Sequence, residues 1–379
     1  MQVLAQRKNK MRTFHVINGS KNYFIQKIKE LRNAKSFLDL IKIHDANLTS
    51  KQPIPDKDKA DLMVVYNDNY HAITEQANDR LGNLIYDLTQ ENAEIWVHNP
   101  PHNLLFFLKS NQDYGEINLD VDSQKYDIKR GQKHYLNCIQ KIHESIIGQD
   151  NAIFEISKTL SYLTSVKRKK PYVIMLYGNS SIGKTELVRE VSKYFFDGHL
   201  LEQHLSMYKT DVNRDYLFGD KPNRRSLGFD LLERGSNLIF LDEIDKCADY
   251  FYSVFYTLFD NTTFKDAVYD VDVSGALIVM TSNYTNEDEM KEKLGLPIYY
   301  RIDKFIHFED FSSYTIYRIV NKEIEDKYEE YKKFFTKEEV YNVVKTRILS
   351  QSENARTIKN KVQAVLEELL FRKVLESED

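Results

Sequence analysis

The run GNSSIGKT at 178–185 has residue types and spacing suited to holding a phosphate chain. It follows the apolar stretch YVIMLY and opens the helical stretch KTELVREVSKYFF, the strand–loop–helix context such a loop needs. Gly178 and Gly183 let the backbone curl, so that N–H groups from Asn179, Ser180, Ser181 and Ile182 can face anionic oxygens. Lys184 adds a cation for the outer phosphates, and Thr185 offers a hydroxyl to a magnesium ion. A second motif, LIFLDEIDK at 238–246, places Asp242 and Glu243 at the end of another apolar run. Asp242 suits the magnesium shell, and Glu243 suits activation of an attacking water. Alone, such an Asp-Glu pair is more often a solvated strand end; after a complete phosphate loop it predicts a nucleotide site.

The elements that must position these groups alternate between strand and helix. Strand-like runs at 172–178, 201–207, 237–243, 275–283 and 304–310 predict a parallel sheet around the loop, and from 311 the pattern turns wholly helical. Thr336 and Glu339 form a capping box for one of these late helices. Upstream, runs at 13–18, 36–43, 61–67 and 93–99 alternate with helical stretches at 21–33 and 72–90, predicting a separate small α/β layer. Residues 44–60 suggest a loop, and the polar stretch 109–131 a linker or weakly structured connection. The expected organisation is an N-terminal α/β recognition or docking domain over 1–115, a linker over 116–133, a large α/β subdomain over 134–310 and a helical lid over 311–379. No internal repeat is evident in the sequence.

Composition bounds the function. In 379 residues, 53 Lys and Arg stand against 57 Asp and Glu, leaving a formal charge of −4 and no overall basic field for DNA or an anionic membrane. Two cysteines, Cys138 and Cys247, stand far apart without zinc-ligand spacing, a pattern that fits a reducing compartment. Arg7, Lys8, Lys10 and Arg12 have no apolar segment behind them, and the apolar runs fall short of a spanning helix. The expectation is a cytoplasmic protein with no membrane partner. His71, His98 and His102 are scattered without matching ligands and suggest structural or surface roles.

Residues 146–370 resemble the AAA+ ATPases, and within them the C-terminal ATPase module of the Clp-type unfoldases. IIGQDNAI at 146–153 resembles the family's adenine-side segment, placing Ile146 and Ile147 beside the base; LDEIDK resembles the Walker B motif. SMYKTDVNRDYLFG (206–219), DNTTFKD (260–266) and VSGALIVMTSN (273–283) resemble the stretch before the pore loop, a short hairpin and the sensor strand. The resemblance implies that Asn283 is sensor 1, an amide beside the attacking water. It implies that Arg301, in LPIYYRIDKFIHF, is an arginine finger reaching a neighbour's γ-phosphate, and that Arg356, in SENARTIKN, is the lid's sensor 2 contact. It implies ATP and Mg2+ as cofactors, and a homo-oligomeric ring or spiral, a hexamer by family habit. The implied fold is a P-loop AAA+ module with a parallel sheet and a C-terminal helical lid, preceded by the small α/β domain.

Two departures qualify it. Asn354 stands where the family usually has Gly, and DKPNRRSLGFDLLERGSN (220–237) lacks the Gly-aromatic-Val-Gly loop that grips a threaded polypeptide. Arg224 and Arg225 stand there instead, suiting an acidic protein partner or a nucleic-acid backbone as well as a solvated loop, and Phe229 begins a helix. The chain is expected to hydrolyse ATP to remodel or regulate a protein partner docked through the N-terminal domain. The alternative is a nucleotide-switched scaffold that assembles on ATP, turns over slowly and recruits an effector or nucleic acid.

Overall fold

The strands, in chain order, are β1 (Arg12–Asn18), β2 (Lys35–Ser36), β3 (Ala60–Val65), β4 (Thr89–His98), β5 (Ile117–Ser123), β6 (Tyr172–Tyr177), β7 (Leu201–His204), β8 (Leu238–Asp242), β9 (Thr263–Lys265), β10 (Asp270–Asp272), β11 (Leu277–Thr281) and β12 (Lys304–His307). They come from a computed structural model that describes residues 11–49, 55–126, 128, 132–210, 213–347 and 353–376. The expectations for Arg7, Lys8, Lys10, residues 50–54 and Ser352 lie outside the described residues.

The chain forms two compact units, neither of them continuous. One comprises Met1–Asp127, Lys209–Asn237 and Tyr250–Ser274; the other comprises Ile128–Tyr208, Leu238–Asp249 and Gly275–Asp379.

The second unit holds a sheet of order β12-β6-β11-β8-β7, all of its pairs parallel. β6, β8 and β11 are apolar along most of their length because helices cover both faces of such a sheet: Ile174, Phe240 and Val279 are buried. The helices Asp150–Ser165 and Lys184–Phe195 share that core, as do Ser313–Asp326, Lys337–Arg347 and Ala355–Glu376 of the helical tail. The capping box forms as expected: Glu339 N–H donates to Thr336 Oγ1 at 3.2 Å, and Thr336 N–H donates to Glu339 Oε2 at 2.7 Å.

The first unit holds a sheet of order β2-β3-β4-β1-β5, again wholly parallel, and the antiparallel pair β9–β10. Numbered within its own unit, each five-stranded sheet has the order 2-3-4-1-5, with a helix directly after its first strand. A repeat invisible in the residues is therefore present in the topology.

Three expectations are corrected. SFLDLIKI (36–43) is not a strand: after the two-residue β2, a helix runs Phe37–Thr49, taking in part of the expected loop. Phe37 and Leu40 are buried and Ile41 and His44 half-buried, the spacing of one helical face, and this outweighs the β-branched residues. Residues 109–123 are not a weak connection: a helix ends at Asp113, and β5 pairs with β1 along its length. The polar text misleads because β5 is an edge strand whose Asn118, Asp120 and Asp122 alternate with Ile117, Leu119 and Val121. Finally, β7 and β12 stop at His204 and His307, short of the ends their apolar patterns suggested.

Candidate functional site

All the sequence-predicted site residues lie in the second unit. The loop 178–183 leaves β6 and turns into the helix Lys184–Phe195. Its geometry demands glycine: Gly178 has φ +131°, and a Cβ there would stand 2.5 Å from the carbonyl oxygen of Phe308. Gly183 caps the helix at φ +105°, and Ser181 takes a left-handed conformation at φ +62°. The side chain of Gln149 locks the loop from behind, its Nε2 donating to Ile182 O at 3.1 Å and Glu309 O at 2.9 Å while its Oε1 accepts from Glu309 N–H. Asn179 Nδ2 donates to Asp310 Oδ1 at 2.7 Å.

Lys184 is buried, and its Nζ donates to Gly178 O at 2.7 Å, Asn179 O at 2.6 Å and Asn283 Oδ1 at 3.3 Å. Desolvation lowers its pKa to about 8, although Asp245, Asp242 and Glu243 all pull the other way. A buried ammonium left under-compensated by its own carboxylates suits an added anion.

Asp242 ends β8 opposite Thr281 of β11. Thr281 Oγ1 donates to Asp242 Oδ1 at 2.5 Å and accepts from Glu243 N–H at 2.9 Å. Glu243 itself sits at φ +58°, a conformation that turns the chain sharply after the strand. Thr185 Oγ1 lies 3.3 Å from Asp242 Oδ1, a hydroxyl and a carboxylate side by side as a hard divalent cation such as Mg2+ requires. Glu202, His204 and Asp242 also bring one ligand atom each within 4.8 Å of one another, with His204 Nδ1 3.4 Å from Asp242 Oδ2.

Lys184, Thr185, Asp242, Glu243, Thr281 and Asn283 line one cleft of about 450 Å³ together with the start of the helix Ala355–Glu376, where Arg356, Lys359 and Asn360 face it. Ala355 N–H donates to Ser181 O at 3.0 Å, pinning the helix to the loop tip. Asn354, standing for the family's glycine, caps this helix by accepting from Thr357 N–H at 3.0 Å. Ile146 is buried in the core, with Ile147 packed against it, and neither belongs to the cleft lining. Arg301 follows the short helix Leu296–Tyr299 and donates to Pro297 O at 2.5 Å; it too lies outside that lining.

A family model, AAA domain (Cdc48 subfamily), matches residues 169–367, more than half of the chain. The chain belongs to that family. It is an AAA+ ATPase of the Clp type. Among curated relatives, it is 27% identical over 184 residues to chaperone protein ClpB of Rickettsia prowazekii, covering 45% of this chain and 21% of that protein. It is 24% identical over 277 residues to ClpB of Mycoplasmoides gallisepticum, covering 65% and 38%. It is 28% identical over 164 residues to heat shock protein 100 of Trypanosoma brucei brucei, covering 40% and 19%. The chain thus spans between 19% and 38% of the length of these relatives.

Sequence reasoning passes over Gln149, Thr281 and Lys359. Lys359 was within reach, since it lies three residues beyond Arg356 on one helical face. Thr281 and Gln149 act through contacts that no local spacing announces. The expectation that Arg224 and Arg225 form a basic tip needs correction in one respect: both are paired within their own segment. Arg224 Nη1 lies 2.7 Å from Asp215 Oδ2 and 3.1 Å from Asp220 Oδ2, and Arg225 Nε lies 2.6 Å from Asp230 Oδ1 while its guanidinium covers the ring of Phe229. Phe229 is buried in the helix Leu227–Leu232. Among the described residues, no helix is long and apolar enough to cross a membrane.

Proposed function

We propose that this chain hydrolyses ATP and uses the cycle to remodel or regulate a protein partner, working as a homo-oligomeric ring in the cytoplasm. The observation that carries the reading is the convergence of Lys184, Thr185, Asp242, Glu243, Asn283 and Arg356 on one cleft. Magnesium, when bound with ATP, supplies charge neutralisation between the outer phosphates. The chain's own residues do the rest. The loop 178–183 and Lys184 hold the phosphates, while Thr185 and Asp242 provide the oxygen ligands. Glu243 takes the proton of the attacking water, Asn283 orients that water, and Arg356 contacts the phosphates from the lid. Arg301 serves a neighbouring subunit's site. The curated relatives named as chaperones support a protein as the substrate, and the first unit is the candidate docking surface.

A second reading is favoured by the segment 220–228, which has no aromatic to grip a threaded chain. On that reading the chain is a nucleotide-switched assembly with slow turnover that recruits an effector or nucleic acid. One experiment addresses both. Glu243→Gln keeps the shape of the site and loses the base, so nucleotide binding persists and turnover falls by orders of magnitude, whereas Lys184→Ala loses binding. Wild-type turnover in Glu243→Gln would sink the hydrolytic assignment, and turnover stimulated by DNA or RNA but not by proteins would favour the second reading.

A further inference from the structure

The two sheets share the strand order 2-3-4-1-5, so the corners where their first strands meet their first helices correspond. In the ATPase sheet, β6 ends at Tyr177 and the helix starts at Lys184, leaving the six residues 178–183 to wrap a phosphate chain. In the other sheet, β1 ends at Asn18 and the helix starts at Lys21, leaving only Gly19 and Ser20. The register agrees: Leu176 pairs with Thr281 and Ile17 with His98, and each sheet has a glycine two residues further on, Gly178 and Gly19. Two residues are too few to surround a triphosphate, yet the donors that such a corner aims outward remain.

They aim at Glu233. Its Oε2 accepts from the backbone N–H of Lys21, in the first turn of the helix, at 3.0 Å. Its Oε1 accepts from Asn67 Nδ2 at 2.5 Å and Asn99 Nδ2 at 2.9 Å, and lies 3.3 Å from His98 Nε2. Asn67 follows β3, and His98 and Asn99 close β4; all three are fully or almost fully buried. Burial lowers His98 to a pKa of about 4, so the ring is neutral at ordinary pH and the carboxylate is held by neutral donors. This is the arrangement of an anion cradle at the carboxyl ends of parallel strands, with the anion supplied by the chain itself.

We propose that the first unit repeats the P-loop sheet architecture with its phosphate corner contracted, and that the Glu233 carboxylate occupies the position of a ligand's phosphate, tethering the segment Lys209–Asn237 to the N-terminal sheet. The unit therefore takes no nucleotide of its own. Its anion site is closed internally, and the segment it anchors leads directly into β8, the strand that carries Asp242. The assignment stands on the first unit alone and is independent of whether the AAA domain hydrolyses ATP.

The test is chemical rescue in the full chain, on a Lys184→Ala background that keeps phosphate off the ATPase loop. Glu233→Ala empties the cradle and takes the acceptor away from the buried amides of Asn67 and Asn99 and from the Lys21 N–H, so the melting temperature falls by about 5 °C or more. Acetate and inorganic phosphate then restore it in a saturable manner, whereas chloride at equal ionic strength does not, and neither anion shifts the parent carrying Glu233. An unchanged melting temperature, or a loss that no oxyanion recovers selectively, overturns the proposal. Should Glu233→Ala fail to fold, Glu233→Gln replaces it, with trypsin cleavage at the exposed Arg224 and Arg225 as the readout. Faster cleavage than in the parent supports the tether, and an unchanged rate overturns it.

Discussion

The hydroxyl of Thr281 ties together the two acidic residues of the candidate site: it donates to Asp242 Oδ1 at 2.5 Å and accepts from the backbone N–H of Glu243 at 2.9 Å. One oxygen thereby sets the carboxylate proposed for magnesium and the left-handed turn that carries the proposed base. Thr281→Val keeps the volume and removes both bonds. Turnover should fall about 10–100-fold, the usual cost of losing an orienting partner outside the ligand shell, with nucleotide affinity changed little. Steady-state ATPase and equilibrium binding on the same preparation check this, and wild-type turnover in the valine variant would refute the positioning role.

The buried Lys184 gives nucleotide binding a pH dependence. Its pKa in the ligand-free protein is lowered to about 8, and triphosphate favours the protonated form, so binding takes up protons as pH rises through 8. Affinity should decline above that pH, and titration calorimetry in buffers of different ionisation enthalpy should show the uptake. The stability of the ligand-free chain moves the opposite way. Between pH 8 and the ordinary lysine value the unfolded chain holds a proton that the folded chain has released, so this group contributes increasing stability as pH rises across that window. Proton release on binding at pH 8 would contradict the assignment of Lys184 as the phosphate cation.

The phosphate loop and the acidic strand end were legible because each is a short contiguous motif whose backbone requirement is written in its residue types, as at Gly178 and Gly183. The lid helices were legible from periodicity and from the Thr336–Glu339 box. What the residues did not disclose is long-range. Glu233 reaches Lys21 across 212 positions and Asn99 across 134, and no spacing rule connects them. Likewise the segments Lys209–Asn237 and Tyr250–Ser274 belong to the first unit although they lie within the stretch that resembles the ATPase. The helix Phe37–Thr49 was missed for a local reason: Ile41 and Ile43 favour a strand by type while Phe37 and Leu40 mark a helix by position, and burial decided between them.

Gln149 offers a test of how the phosphate loop is held. Its amide is buried and bonded to the backbone on two sides, at Ile182 and Glu309. Gln149→Ala leaves those backbone groups without partners and should cost about 2–3 kcal/mol of stability, with weaker nucleotide binding following from a looser loop. Gln149→Glu should be worse at neutral pH, since a carboxylate would face two carbonyl oxygens, and acidification should narrow the gap between the two variants. Denaturant unfolding with and without nucleotide reads both effects; equal stability of the wild type and the glutamate variant would show that the amide bonds do not support the loop.

Arg301 lies outside the cleft of its own chain, as its proposed service to a neighbour's site requires. A finger of this kind stabilises charge developing on the γ-phosphate and is worth about three to five powers of ten in related phosphoryl-transfer systems. Turnover per chain should therefore rise with protein concentration as subunits assemble, and Arg301→Ala should lower it while leaving binding intact. Two inactive variants then make a sharper measurement. An Arg301→Ala subunit has a working phosphate loop and no finger, whereas a Lys184→Ala subunit has a finger and no working loop. Where a Lys184→Ala subunit offers its Arg301 to the loop of an Arg301→Ala subunit, a complete site exists, so mixing the two should restore part of the activity that each lacks alone. A mixture as inactive as its components, from chains whose turnover does not depend on concentration, would place Arg301 outside the chemistry and leave a site that works within one subunit.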